Sequence, residues 1–260
     1  MTYTFYKYQG TGNDFIIIDN RDMSFNRNDN TLVAKLCDRR FGIGADGLML
    51  LQNKPGYDFE MVYYNSDGNE SSMCGNGGRC IVAFAHKLGL LNEKARFTAI
   101  DGDHEAILEV SQVSLKMADV NEIEKNGDFY FLSTGSPHYV KFVKDVEHYN
   151  VFEEGKKVRY NERFKEKGTN VNFIEKQNNL LFVRTYERGV EGETYSCGTG
   201  VTAAALIAAL TGTATSAENC VIKTLGGNLN VRFIRKSENS FDNIWLEGPA
   251  TFVFKGEITL

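Results

Sequence analysis

The sequence predicts an α+β protein of two similar lobes in which helices are enclosed by β-sheet. Most segments read as strands, two helical segments are apolar on nearly all sides, and one cysteine-glycine motif occurs in each half of the 260 residues. A helix that is apolar all round has no face suited to water, so it has to be buried. In a chain rich in strands, the sheet is what buries it.

Eight segments are predicted as strands because they are rich in β-branched and aromatic residues. They are TYTFYKY, DFIIID, GLMLL, DFEMVYY, HYVKFV, NLLFVRTY, NLNVRFI and ATFVFKGEITL. Three segments are predicted as helices, namely NTLVAKLCDRR from Asn30, GGRCIVAFAHKLGL from Gly77 and TGVTAAALIAAL from Thr199. The second and third are the two enclosed helices.

Composition excludes several classes of function. The formal net charge is -5, and no basic window is interleaved with aromatic residues, which argues against a nucleic-acid partner. The start MTYTFYKYQGTGNDF lacks a basic segment followed by an apolar core, and no later run is long enough to span a bilayer. We therefore expect a soluble cytoplasmic protein that acts on a small molecule.

The repeated motif is GNESSMCGNG in the first half and GETYSCGTG in the second. Each has a glutamate four residues before its cysteine, Glu70 before Cys74 and Glu193 before Cys197, and Gly-x-Gly after it. The repeat predicts one lobe over residues 1–116 that carries Cys74 and another over 117–248 that carries Cys197. The segment KMADVNEIEKNG, from Lys116, is the expected crossover.

The glycines give the two cysteines a chemical setting. A cysteine at the start of a helix lies beside backbone N–H groups and the positive end of the helix dipole, which favours the thiolate. The same N–H groups can hold a carboxylate, and glycine lets a ligand approach them. Two such units would hold one substrate carboxylate with a thiol on either side of its α-carbon, an arrangement suited to inversion of configuration.

Other interpretations of the cysteines fit the two motifs less well. A lone cysteine next to glycine is usually a small buried hydrophobe, and the duplication is what favours a functional role. Neither motif has the Gly-Lys-Ser/Thr ending of a phosphate loop, and the cysteine spacing gives no zinc site. An odd number of cysteines without a secretory signal predicts thiols rather than disulfides, and Cys37, Cys80 and Cys220 are expected in the core.

A cysteine hydrolase is the main alternative from another reaction class. It needs a thiolate, a histidine and an oxyanion hole, and His138 in STGSPHYV is the best candidate for the histidine. This interpretation gives the second matched cysteine no role.

Six segments together resemble the successive motifs of diaminopimelate epimerases over almost the whole chain. They are GTGNDFIIID, FGIGADGLML, YNSDGNESSMCGNGGRC, GSPHYV, NVNFIE and YERGVEGETYSCGTG. Proline racemases and hydroxyproline epimerases share the second cysteine motif but typically have Cys-Gly-His at the first. Asn76 at that position favours diaminopimelate.

The resemblance implies two pseudo-symmetric lobes of mixed β-sheet, each wrapped around a central helix, with a C-terminal strand at about 249–260 that returns to the first lobe. It implies epimerisation of L,L- to meso-diaminopimelate without cofactor or metal, in lysine and peptidoglycan precursor biosynthesis, by a homodimer. The family's two thiols match Cys74 and Cys197, and groups beside the reacting centre match His138 and Glu187. The substrate-binding positions match Gly75, Asn76, Gly198 and Thr199 at the reacting carboxylate, Asn13, Asn65, Asn170 and Arg188 at the distal, non-reacting end, and Glu187 beside the reacting ammonium group.

Two departures from the family pattern bear on binding. Gly47 stands where some members have glutamine, so no binding role is carried over to it, and Ser136 stands where many have asparagine. A hydroxyl replaces one hydrogen bond of an asparagine but not two. A proline-type racemase and a binding protein of the same fold without activity remain as alternatives.

Overall fold

The computed structural model describes residues 2–110 and 112–259 of the chain. The described residues divide into two compact units. The first unit contains the residues up to Leu115 together with those from Gly248 onward, and the second contains Lys116–Glu247.

The first unit is a mixed sheet of nine strands in the described chain. In chain order these are β1 (Thr2–Gly10), β2 (Asn13–Asp19), β3 (Gly47–Gln52), β4 (Phe59–Asn65), β5 (Glu70–Ser71), β6 (Lys94–Ala99), β7 (Gly102–Glu109), β8 (Gln112–Lys116) and, from the C-terminal end, β18 (Thr251–Thr259). β18 pairs with β1, β1 with β2, β3 with β4, and β6 with β7 and on to β8, all antiparallel. The pairs β2·β3 and β4·β6 are parallel, while β5 lies antiparallel on β4.

The second unit has nine strands in the described chain as well. They are β9 (Ile123–Asn126), β10 (Phe129–Ser133), β11 (Pro137–Phe142), β12 (Asn170–Gln177), β13 (Leu180–Glu187), β14 (Gly192–Thr194), β15 (Asn219–Thr224), β16 (Gly227–Arg235) and β17 (Phe241–Pro249). The pairs β11·β12 and β13·β15 are parallel. The pairs β9·β10, β10·β11, β12·β13, β13·β14, β15·β16 and β16·β17 are antiparallel.

The two units therefore repeat one topology strand for strand. β1 to β8 of the first unit correspond to β10 to β17 of the second, and each parallel pair recurs at the same step. The edge strand β18 corresponds to β9. The predicted pseudo-symmetric α+β fold of mixed sheet is confirmed.

The four α-helices of the described chain follow the same repeat. They are α1 (Asn30–Cys37), α2 (Gly75–Lys87), α3 (Val151–Arg159) and α4 (Gly198–Leu210), with a 3₁₀ turn at Val146–His148. α1 and α3 connect the first parallel pair of strands in their units, whereas α2 and α4 lead into the second.

The helix boundaries differ from the sequence prediction at four ends. α2 ends at Lys87 rather than Leu90, and α4 begins at Gly198 rather than Thr199. α1 stops at Cys37 rather than Arg40, because the Asp38 carboxylate accepts the N–H groups of Arg40 and Phe41, each at 2.7 Å, and turns the chain. α2 begins at Gly75, two residues before the predicted start. Its first-turn N–H groups need no intrahelical acceptor, so poor helix formers are tolerated there.

α3 was missed altogether by the sequence prediction. Its sequence VFEEGKKVR is polar, and only Val151 and Gly155 are buried. The helix is held by its N-cap, since the Asn150 side chain accepts the N–H of Glu153 at 3.3 Å.

Both faces of each sheet are buried, which explains why apolar and polar residues do not alternate along β2 and β3. In the first unit, Ile16, Leu48 and Val62 pack in a cluster that includes residues of α1. Phe15 and Met49 of the same strands lie against Gly77 of α2 instead. α2 is buried over most of Gly75–Ala85, and α4 is buried over most of Gly198–Ala208, so both are enclosed as predicted. None of the helices in the described residues is long and apolar enough to cross a membrane.

Candidate active site

Each enclosed helix begins at one of the two matched cysteines. Cys74 is the N-cap of α2 and Cys197 the N-cap of α4, both with extended backbone. The Cys74 carbonyl accepts the N–H of Gly78 at 2.7 Å, and the Cys197 carbonyl accepts that of Val201 at 2.8 Å. Neither thiol makes a capping hydrogen bond to its helix. The first turns, Gly75-Asn76-Gly77 and Gly198-Thr199-Gly200, therefore present N–H groups to which a helix offers no internal acceptor.

In the first unit, Asn13 connects the Cys74 thiol to Asn76. Asn13 donates from Nδ2 to the Asp46 carboxylate at 2.6 Å, which fixes the orientation of its amide. Its Oδ1 then accepts from Cys74 Sγ at 3.6 Å and from Asn76 Nδ2 at 3.3 Å. Three residues assigned from the resemblance are thus brought together at the start of α2.

Arg79, which the sequence analysis did not single out, lies one turn further along α2. Its guanidinium donates to the Gly75 carbonyl at 3.2 Å and to Asn76 Oδ1 at 3.0 Å. The available signal in the sequence was a lone arginine inside the apolar run GGRCIVAFA.

In the second unit, a chain of hydrogen bonds runs from a buried histidine to Cys197. His138 Nε2 lies 3.0 Å from Ser136 Oγ, Ser136 Oγ lies 3.1 Å from Thr199 Oγ1, and Thr199 Oγ1 lies 3.6 Å from Cys197 Sγ. His138 is 0% exposed. Burial, together with the nearby charge of Arg188, lowers the pKa of His138 to about 3, so the imidazole is neutral at physiological pH.

The direction of this chain follows from its partners. Asn172 accepts from Thr185 at Oδ1 (3.0 Å) and donates from Nδ2 to the Tyr139 carbonyl (2.9 Å), so the same Nδ2 faces His138 Nδ1 as a donor at 3.1 Å. A neutral imidazole that accepts at Nδ1 carries its proton on Nε2 and donates it to Ser136.

Ser136 continues the chain toward the thiol. Its Oγ accepts from both His138 Nε2 and Asn170 Nδ2, the latter at 3.1 Å, which uses both lone pairs of the hydroxyl oxygen. Its own proton is therefore donated to Thr199, whose hydroxyl shares a hydrogen bond with Cys197 Sγ in which either atom can be the donor. Ser136, which stands where the family often has asparagine, is thus a link between His138 and Cys197.

The residues assigned to the distal end of the substrate are only partly brought together. Asn170 Oδ1 accepts the backbone N–H of Arg188 at 2.9 Å, and the exposed Arg188 guanidinium donates to the Lys167 carbonyl at 3.0 Å. Glu187 Oε2 accepts from Thr194 Oγ1 at 2.8 Å. Asn65 is exposed at the end of β4, where its carbonyl accepts the N–H of Gly68 in a turn. The binding roles of these residues stay predictions.

The remaining cysteines are core thiols, as predicted. All five cysteines carry thiols, and Cys37, Cys80 and Cys220 are buried. Burial raises the pKa to about 12 at Cys37 and Cys80 and to about 11 at Cys220, so these thiols are protonated at neutral pH and unreactive.

Gly47 is fixed by packing. A Cβ at this position would lie 2.6 Å from both the Tyr64 carbonyl oxygen and Tyr63 Cε2. A side chain at this position would require Tyr63 and the β4 backbone to move. In the described residues, no group of three or more His, Cys, Asp or Glu side chains is arranged to hold a metal ion.

Solved structures of similar fold come from several kinds of enzyme. A phenazine biosynthesis protein of the PhzF family from Bacillus anthracis superimposes with a TM-score of 0.77 at 15% identity, covering 100% of both chains. A hydroxyproline epimerase from Agrobacterium vitis gives a TM-score of 0.69 at 12% identity over 100% of this chain and 93% of that one. At these identities the likeness concerns the fold alone.

Sequence relatives are much closer. A diaminopimelate epimerase of Flavobacterium psychrophilum is 53% identical over 256 residues, 97% of this chain and 99% of its own length. One of Chlorobaculum tepidum is 42% identical over 96% of this chain and 99% of its own length. The family model for diaminopimelate epimerase matches residues 5–121 and 130–253. Because the family model matches most of this chain and the relatives align with it nearly end to end, the chain belongs to the diaminopimelate epimerase family.

Proposed function

We propose that this chain interconverts L,L- and meso-diaminopimelate without an added cofactor, and that Cys74 and Cys197 are its two acid–base groups. Family membership supports the reaction. The observation that carries the residue assignment is the repeat itself, because each unit starts an enclosed helix at a cysteine followed by Gly-x-Gly.

The chemistry explains why two such helix starts are needed. The α-hydrogen of an amino acid is very weakly acidic, so the negative charge that develops on its removal has to be stabilised by fixed hydrogen-bond donors. The N–H groups of Gly75, Asn76, Gly198 and Thr199 are donors of this kind, and they would hold the carboxylate of the reacting centre. A thiolate removes the proton from one side, and the other thiol delivers a proton to the opposite side.

The surroundings of each thiol suit a group that alternates between its two forms. Asn13 Oδ1 accepts from the Cys74 thiol, and the Thr199 hydroxyl, which can donate or accept, shares a hydrogen bond with Cys197 Sγ. Because the duties exchange when the reaction runs in reverse, both cysteines act as acid in one direction and as base in the other. Neither forms a covalent intermediate, which separates this reaction from that of a cysteine hydrolase.

We assign specificity for the distal end to the polar residues Asn13, Asn65, Asn170 and Arg188, with Glu187 beside the reacting ammonium group. A site that makes hydrogen bonds to a second amino-acid centre rejects analogues that lack it, because its polar groups would be left without those partners. Proline has no such second centre. A proline-type racemase is therefore distinguished by assaying both substrates.

The direct test is conversion of L,L- to meso-diaminopimelate by the purified protein with no added cofactor. In Cys74→Ala and Cys197→Ala we expect inversion to fall by several powers of ten, since acid–base groups each contribute roughly 10² to 10⁴. Residual deuterium exchange from D₂O, followed by proton NMR, should favour opposite α-carbon configurations in the two variants.

A core thiol provides the matched control. Cys220→Ala should keep its activity, because that thiol is buried and protonated at neutral pH. Near-normal epimerisation by either of the two other variants would contradict the two-base mechanism, and a covalent adduct on Cys74 or Cys197 would favour a hydrolase.

A cytoplasmic location and a homodimer also belong to this proposal, and both rest on the resemblance to the family. Light scattering coupled to size-exclusion chromatography tests the dimer, and a particle of one chain's mass would contradict it.

A further inference from the structure

Arg79 is a buried cation that lies in neutral surroundings. Its side chain is 0% exposed and is the largest fully buried one in the described chain. Among the described residues its hydrogen-bond acceptors are the carbonyls of Gly75 and Pro249, Thr11 Oγ1 and Asn76 Oδ1, at 3.0 to 3.4 Å. None of these acceptors is a carboxylate.

Such a charge destabilises the folded state. Burying an ion without an opposite charge is unfavourable even when its hydrogen bonds are satisfied. Burial lowers the pKa of Arg79, but a guanidinium does not lose its proton in proteins. The adjacent Cys80 offers no compensation, because burial raises its pKa to about 12 and leaves it neutral.

The contacts of Arg79 lead to the start of α2. The guanidinium donates to the Gly75 carbonyl and to Asn76 Oδ1, Asn76 donates to Asn13, and Asn13 accepts from Cys74. The carboxylates near this point already have partners of their own. Asp46, which accepts from Asn13, pairs with Arg39, and Asp101, which accepts the N–H of Met73, lies 3.1 Å from His104 Nε2.

We infer that Arg79 is a positioning residue whose buried positive charge stabilises the thiolate form of Cys74. The charge adds to the positive end of the α2 dipole, so the thiolate is favoured over the thiol that Asn13 accepts from. A carboxylate beside Arg79 would cancel this effect, which explains why the guanidinium has only neutral acceptors. The inference rests on the proposed role of Cys74 in proton transfer.

Cys197 serves as the internal control, because the hydrogen bonds of its own network run through hydroxyl groups to a neutral histidine and do not involve Arg79. Loss of the Arg79 charge should therefore change Cys74 much more than Cys197. A defect in folding alone would affect both thiols.

The test is alkylation by iodoacetamide as a function of pH, with the peptides of Cys74 and Cys197 quantified separately by mass spectrometry. In folded Arg79→Met we expect the Cys74 rate at pH 7 to fall about tenfold, the size of effect that a nearby charge has on a thiol, while the Cys197 rate stays within about twofold. Arg79→Lys, which keeps the charge, should stay within about threefold of the wild type at Cys74.

An unchanged Cys74 rate in folded Arg79→Met, or an equal fall at both cysteines, would overturn the inference. If Arg79→Met does not fold, as judged by circular dichroism, the wild-type profile decides. A Cys74 thiol whose pKa is at or above that of free cysteine would overturn the inference, and a pKa below that of free cysteine supports the inference. Alkylation needs no turnover, so a wild-type protein without epimerase activity would defeat the proposed function and leave this result standing.

Discussion

Removal of the Ser136 hydroxyl tests the hydrogen-bond chain of the second unit. Ser136→Ala takes the acceptor away from His138 Nε2, which is buried, and leaves that N–H unsatisfied at a cost of about 1 to 3 kcal/mol. Asn170 Nδ2 adds little to this cost, because it keeps a second acceptor in the Pro137 carbonyl at 3.2 Å. We therefore expect the free energy of unfolding to fall by about 1 to 3 kcal/mol.

The same change frees the Thr199 hydroxyl from its anchor, so its hydrogen bond to Cys197 is held less well. A weakening of about 1.4 kcal/mol in the transition state corresponds to a tenfold lower kcat. Urea unfolding gives the stability, and the diaminopimelate assay gives kcat.

The matched control is Ser133→Ala, on the neighbouring strand β10, where the side chain is exposed. It should change the free energy of unfolding by less than about 0.5 kcal/mol. If Ser136→Ala behaved like Ser133→Ala in both stability and kcat, the hydrogen-bond chain would have no energetic role.

Three further predictions concern the second unit. Arg188→Ala should raise KM roughly ten- to hundredfold through loss of about 1.5 to 3 kcal/mol, whereas Arg163→Ala, which removes a surface pair with Glu124 and contacts with aromatic rings, should leave KM unchanged in the same assay. His138 is buried and neutral with a pKa of about 3, so the unfolded chain binds one more proton between about pH 3 and 6.5. Unfolding at a series of pH values should show that the free energy of unfolding falls as the pH is lowered through this window, by up to about 1.4 kcal/mol per pH unit. Equal slopes for wild type and His138→Gln would refute this. Gly200→Ala should lower the thermal midpoint, because its Cβ would lie 2.4 Å from Asn172 Oδ1, whereas Gly192→Ala, whose Cβ meets nothing within 4 Å, should not; similar midpoints would contradict the packing.

Eight of the eighteen strands in the described chain could be predicted from the sequence. All eight predicted strands are present with boundaries within two residues over the described chain, because β-branched and aromatic runs are a local signal. α3 was not predicted, because its few apolar residues show no clear helical periodicity. Its counterpart α1 was found, so extending the internal repeat from the cysteine motifs to whole units would have predicted α3 between the parallel strands β11 and β12.

The sequence alone was enough to identify Cys74 and Cys197 as the candidate acid–base groups, because each has glycines beside it and the motif occurs twice. Only the tertiary structure decided which distant side chains support them. Ser136 and Thr199 are 63 residues apart in the chain, and Arg79 and Thr11 are 68 apart, yet each pair shares a hydrogen bond. Burial and direction of a hydrogen bond depend on strands that pair far along the chain, so no local pattern could reveal that Arg79 lies without a carboxylate or that Ser136 links His138 to Cys197.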